Sequence, residues 1–169
     1  MRYAQMRKCD VANGAGIRTS LFVQGCTRHC KGCFNPETWD FGGGMEWTKQ
    51  TEDEFVELTG KPHIKGATIL GGEPMEPLNR KTVTRLLRRL KETYPGKDIW
   101  MYSSYLFEEL MEDEEHVLEY LDVLVDGEFV EEKKDLSLRF RGSSNQRLID
   151  VKKSLKEGRA VELEQDTGF

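Results

Sequence analysis

The chain has 169 residues, 37% of them hydrophobic, four cysteines and a formal net charge of −5. That length suits one domain with an ordinary core, so a single domain over residues 1–169 is expected. No run of Lys and Arg is long enough to make a phosphate-binding face, and no segment approaches the roughly 20 apolar residues of a membrane span. Neither nucleic acid nor membrane is therefore expected as a partner.

Residues 1–8 hold no apolar stretch of signal-peptide length, which points to a cytoplasmic location. Cys9 stands apart from the other cysteines and reads as a small, partly buried residue. Asn13-Gly14-Ala15-Gly16 is a turn-forming cluster that delivers the chain into the first predicted strand, Thr19-Ser20-Leu21-Phe22-Val23-Gln24. One Gly-x-Gly is weak support for a ligand cradle, and a turn before a strand is the plainer reading. Arg18 likewise reads as a surface charge.

Directly after that strand, Gly25-Cys26-Thr27-Arg28-His29-Cys30-Lys31-Gly32-Cys33-Phe34 packs three cysteines into a C-x3-C-x2-C pattern. Thiolates this closely spaced can converge on a metal or an iron-sulfur cluster without help from distant segments. In a reducing compartment they are better read as metal ligands than as disulfide partners. If Cys9 or His29 closed the site, the loop would be a structural zinc module or a small iron-sulfur electron carrier. If three cysteines hold a four-iron cluster, one iron stays open to a ligand, and the spacing favours this open version.

Gly42-Gly43-Gly44 reads as a flexible joint, and Thr51-Glu52-Asp53-Glu54 as a capping box opening a short helix that Gly60 and Pro62 close. Ala67-Thr68-Ile69-Leu70 is the second predicted strand and runs straight into Gly71-Gly72-Glu73-Pro74. A helix over residues 79–94 puts Val83, Leu86, Leu87, Leu90 and Tyr94 on one face, and Pro95-Gly96 stops it. Asp98-Ile99-Trp100-Met101-Tyr102 is the third strand, followed by Ser103-Ser104 and a helix with Leu106, Phe107, Leu110 and Met111 on its apolar side. Asp122-Val123-Leu124-Val125 is the fourth, leading to Asp126-Gly127. A polar loop over 140–147, a strand over 148–151, a short Lys-rich helix and a terminal strand over 160–163 complete the prediction.

This alternation predicts an α/β domain, a parallel sheet with helices on the outside. In such a sheet the cysteine loop, Gly71-Gly72-Glu73, Ser103-Ser104 and Asp126-Gly127 each follow a strand and share one rim, the end where these folds place their sites. Turns, helix caps and Asx-turns explain each segment singly. Together with the cysteines they point to a ligand site.

The cysteine loop resembles that of radical S-adenosylmethionine (SAM) enzymes. Within that group the chain is similar over nearly its full length to the glycyl-radical enzyme activases, in particular the branch serving anaerobic ribonucleoside-triphosphate reductase. Asn13-Gly14-Ala15-Gly16-Ile17-Arg18, Cys30-Lys31-Gly32-Cys33-Phe34-Asn35, Gly71-Gly72-Glu73-Pro74, Val125-Asp126-Gly127-Glu128-Phe129 and Arg141-Gly142-Ser143-Ser144-Asn145-Gln146 carry the likeness, the last two most specifically. The resemblance implies an open, partial (βα) barrel in which Cys26, Cys30 and Cys33 hold one 4Fe-4S cluster whose open iron is chelated by the amine and carboxylate of SAM. It implies that Gly71 and Gly72 meet the SAM ammonium through their backbone, with Glu73 supplying the opposite charge. It passes the adenine along the backbone of Gly32, Cys33 and Phe34, although Gly32 stands where many relatives carry an aromatic ring. By the same likeness Ser103, Ser104 and Asp126 lie near the ribose, the carboxylate or a monovalent cation. The polar 141–147 loop is a candidate for positioning SAM or the partner's glycine loop, and a hydrogen-bonded turn before a strand is the equal alternative. The implied partners are the reductase large subunit and a flavodoxin-like or equivalent one-electron donor. The implied reaction is reductive cleavage of SAM followed by formation of a glycyl radical on that subunit. Activation of a different glycyl-radical protein is the alternative within the class.

Overall fold

The structure, a computed structural model, describes residues 1–164. Strands β1 (Arg2–Asp10), β2 (Arg18–Val23), β3 (Met45–Glu46), β4 (Gly66–Gly71), β5 (Asp98–Ser103), β6 (Val123–Asp126) and β7 (Arg147–Asp150) form one open sheet in the order β3-β1-β2-β4-β5-β6-β7. The four central strands β2, β4, β5 and β6 run parallel, as the βα alternation predicts. The wholly parallel sheet is corrected at both edges, where β1, β3 and β7 are antiparallel to their neighbours. The connection over residues 11–17 is too short for a crossover, which needs about a dozen residues, so β1 can only pair antiparallel with β2. Residues 127–146 contain no α-helix to carry the chain back across the sheet, and β7 returns antiparallel to β6.

Side chains alternate cleanly between two faces along the central strands. Leu21, Val23, Ala67, Ile69, Ile99, Met101, Leu124 and Ile149 enter one core together with residues of all four helices. Those helices are α1 (Lys49–Thr59), α2 (Arg80–Thr93), α3 (Phe107–Leu110) and α4 (Val151–Glu157). From α2, Val83, Leu86, Leu87 and Leu90 are buried, each worth about 1.5–3 kcal/mol of transfer free energy. The opposite face carries Trp100, Val123 and Val125, packed with Ala15, Phe140, Leu148 and partly buried Tyr102. Among the described residues no helix covers that second face; the chain before β2 and the irregular segment before β7 do so instead.

Four local expectations shift. Helix α1 begins earlier than the proposed box at Thr51: Thr48 is its N-cap and accepts from the Thr51 N–H at 3.2 Å. Helix α3 is a single turn that buries Phe107 and Leu110 while leaving Leu106 and Met111 exposed. Residues 160–163 make one bridge, between Glu162 and Ile149, in place of a full strand. The glycines at 43 and 44 are fastened rather than loose, their carbonyls accepting from the Arg2 guanidinium at 2.7 and 2.8 Å. Among the described residues no helix is long and apolar enough to cross a membrane.

The registers position the site. Val23 pairs with Gly71, and Ser103 with Asp126, so the loops leaving β2, β4, β5 and β6 emerge at one end of the sheet.

Candidate functional site

The cysteine loop is rooted by backbone bonds that involve no cysteine side chain. Gly25 N–H donates to the Thr38 carbonyl at 2.7 Å, and Cys26 N–H to that of Trp39 at 3.1 Å. Thr27 donates through both its N–H and its hydroxyl to Glu76 Oε1, each at 2.7 Å. His29 adopts the left-handed conformation (φ 46°) and lays its ring on Trp39 with centroids 4.5 Å apart. So held, Cys26, Cys30 and Cys33 are half-buried free thiols on the wall of one cavity of about 620 Å³.

Burial pushes the Cys26 and Cys30 thiols above their ordinary range. Backbone N–H groups act in the other sense: those of Arg28 and His29 serve Cys26, and that of Phe129 serves Cys30. Asn35 N–H lies 3.4 Å from Cys33 Sγ. Donors aimed at sulfur suit thiolates, the form that ligates iron. The donor set therefore fits an iron-sulfur cluster held by this loop. Among the described residues no three His, Cys, Asp or Glu side chains gather as the ligands of a single ion.

Cys9 is exposed rather than partly buried, and its sulfur lies 4.0 Å from His63 Nε2. Asp10 pairs with Arg18 and Tyr3 with Val23, so Cys9 and the cysteine loop sit at opposite ends of β2. At about 3.3 Å per residue that separation is on the order of 16–20 Å, which removes Cys9 as a fourth ligand.

Gly71, Gly72 and Glu73 line the same cavity. Gly71 has φ 105°, and a Cβ there would meet the Phe22 Cα at 2.7 Å. Gly72 N–H donates to Val23 and Glu73 N–H to Gly25, so the turn after β4 seats the root of the cysteine loop. A Cβ at residue 72 would lie 2.5 Å from the Gly25 carbonyl oxygen. Any side chain at 72 would therefore unseat the cysteine loop as well as alter the cavity.

Glu73 is 2% exposed, and four donors saturate its carboxyl group. Oε1 accepts from Met75 N–H at 2.9 Å and Ser103 Oγ–H at 2.8 Å, while Oε2 accepts from the N–H and hydroxyl of Ser104, both at 2.6 Å. Burial pushes this carboxyl up, and the serine and backbone donors pull the other way. Glu73, Ser103 and Ser104 thus form one network tying the end of β4 to that of β5.

Two of the residues singled out in the sequence lie off the cavity wall. Asp126 is fully buried, accepting from Phe107 N–H at 2.8 Å and from Arg147 Nε and Nη2 at 3.0 and 2.6 Å. This ion pair, with Glu108 behind it, drives the Arg147 guanidinium up. Gly32 (φ 73°) faces Glu131, where a Cβ would come within 2.9 Å of Oε1. Phe34 does line the cavity, paired with Phe129 at 5.1 Å.

Arg18, which read as a surface charge, is instead 0% exposed. It donates to Thr68 Oγ1 and to the Ala15, Ala67 and Asp98 carbonyls, and pairs with the Asp98 carboxylate at 2.6 Å. The sequence reading also missed Glu76 and Asn79, which brace the loop: Asn79 Nδ2 donates to the Gln24 and Glu73 carbonyls at 3.0 and 3.1 Å. A carboxylate and an amide between a Gly-Gly turn and a helix were the available signal.

Residues 12–149 match the 4Fe-4S single cluster domain family, so the chain is an iron-sulfur domain of that class. It is 43% identical over 148 residues to the anaerobic ribonucleoside-triphosphate reductase-activating protein of Vibrio cholerae, covering 86% of this chain and 96% of that one. The Escherichia coli K12 protein of the same name is 41% identical over 148 residues, with the same coverage of 86% and 96%. That of Enterobacteria phage T4 is 39% identical over 150 residues, covering 88% of this chain and 93% of its own. The chain belongs to the family of anaerobic ribonucleoside-triphosphate reductase-activating proteins.

Proposed function

We propose that this chain is a radical SAM activase that places a glycyl radical on the large subunit of an anaerobic ribonucleoside-triphosphate reductase. The carrying observation is that the three loop cysteines share one cavity with Gly71-Gly72-Glu73 and Ser103-Ser104, while Cys9 lies at the far end of the sheet. A closed zinc site or a simple electron carrier has no use for that open, ligand-sized space. Cys26, Cys30 and Cys33 would hold the cluster. When bound, cluster and SAM supply one-electron cleavage of the sulfonium and hence abstraction of a hydrogen atom from a glycine α-carbon.

The protein's own part is positioning. Glu76 and Asn79 hold the cysteine loop against the turn after β4. The Glu73 network fixes Ser103 and Ser104 on the rim and holds a buried carboxyl group beside the space for the SAM ammonium. Phe34 and Phe129 give the wall an apolar patch. The open sheet carries its helices on one face and serves as a partial barrel, and a partner's backbone would enter through the cavity beside the cysteine loop. In this reading the protein works in the cytoplasm with a flavodoxin-like or equivalent electron donor.

The test is anaerobic reconstitution with iron and sulfide, then incubation with SAM and a strong reductant. Production of 5'-deoxyadenosine and methionine is expected; intact SAM over a fully reduced cluster would rule the reading out.

A further inference from the structure

Three guanidinium groups line the cavity, those of Arg7, Arg28 and Arg141, and they differ in what neutralises them. Arg28 pairs with Glu128 at 2.8 Å. Arg7 lies over the Phe22 ring and 3.7 Å from Asp10. Arg141 is half-buried and donates from Nη1 to the Gln146 carbonyl at 2.6 Å, yet among the described residues no carboxylate lies within 4 Å of it. A cation withdrawn from water without a counter-charge is costly, so its place on a ligand-sized cavity calls for an anion.

The surrounding loop is built to hold that one side chain. Gln146 Oε1 accepts from the N–H groups of Gly142 and Ser143 at 2.9 and 3.2 Å, and Gln146 Nε2 donates to the Gly127 carbonyl at 3.0 Å. Asn145 Nδ2 donates to the Glu128 carbonyl at 2.8 Å, and Ser143 Oγ accepts from Val130 N–H at 3.2 Å. The polar groups of Gly142-Ser143-Ser144-Asn145-Gln146 are thus spent largely on pinning the loop to residues 127–130. The loop also sits at the cysteine end of the cavity: a Cβ on Gly142 would meet the Phe34 ring at 2.6 Å, and Phe34 follows Cys33. Of the wall's own acids, Glu73 is taken by four donors, and Asp135 accepts the N–H and hydroxyl of Ser137 at 2.8 and 2.6 Å on Oδ1.

We infer that Arg141 is a binding residue for a carboxylate, and, resting on the function proposed above, that this is the α-carboxylate of SAM. The guanidinium fork matches a carboxylate edge. Equilibrium binding of SAM, and of an analogue lacking only the carboxylate, to cluster-loaded wild type, Arg141→Met and Arg141→Lys tests this. Arg141→Met should load iron normally, bind SAM roughly 10–100-fold more weakly and bind the decarboxylated analogue as wild type does. Arg141→Lys should recover part of the loss. Equal weakening towards both ligands would mean that the residue only props the loop. Unchanged SAM binding with lost radical transfer would assign it to the partner. Either result overturns the inference, whereas wild type that fails to bind SAM would overturn the function beneath it.

Discussion

Alanine in place of Cys26, Cys30 or Cys33 is expected to abolish the iron-sulfur cluster, whereas Cys9→Ala should load iron and sulfide like the parent. The three loop thiols line one cavity and receive backbone N–H donors, while Cys9 is exposed beside His63 at the other end of β2. Because a cluster held by three protein ligands has none to spare, the expected loss is all or nothing in each single variant. Iron and sulfide analysis with a visible absorption spectrum after anaerobic reconstitution decides it. Equal loss in Cys9→Ala would require a four-cysteine site that the strand pairing does not allow. Stoichiometric zinc without iron would remove the redox reading altogether.

Arg18→Met is expected to cost about 3–5 kcal/mol of folding free energy, a large share of a typical total of about 5–15 kcal/mol. The guanidinium is fully buried, and its removal strands the Asp98 carboxylate, the Thr68 hydroxyl and carbonyls of the chain before β2, of β4 and of β5. Burial draws the Arg18 guanidinium below its usual range and Asp98 works against that, so neither group is self-sufficient. Arg18→Lys should rescue little, since one ammonium cannot span a planar set of acceptors. Urea unfolding of the apo protein measures this through the midpoint, with the slope as a control. A shift worth less than about 1 kcal/mol would show that the network relaxes without cost. The folded fraction of the variant should still load its cluster, because Arg18 lies at the opposite end of β2 from the cysteine loop.

The central βα frame was legible because its signals are local. Each parallel strand is a short run of β-formers, β4, β5 and β6 closed by glycine, serine and aspartate, and α2 shows its buried stripe at helical spacing. Strand β1 was not legible: Arg2–Asp10 is half-exposed and shows no apolar alternation, so only its pairing with β2 defines it. The shared rim could be read for the cysteines, Gly71-Gly72-Glu73 and Ser103-Ser104, each tied to the end of a strand. What those groups do to one another could not, since Glu73 meets Ser103 and Ser104 across about thirty residues of chain. Asp126 shows the limit most clearly. As sequence it was a rim carboxylate ready for a ligand, and only the fold brings Arg147 and the Phe107 N–H to consume it.

The most direct test of the proposed function is electron paramagnetic resonance of the partner. The cluster-loaded chain, SAM and a strong reductant are mixed anaerobically with the large subunit of an anaerobic ribonucleoside-triphosphate reductase. A glycyl-radical doublet on that subunit is predicted, with 5'-deoxyadenosine formed in proportion and no doublet when its radical-bearing glycine is replaced by alanine. A silent large subunit while SAM is cleaved and another glycyl-radical enzyme acquires the doublet would contradict the assignment of partner. No doublet on either, with SAM intact over a reduced cluster, would contradict the mechanism itself.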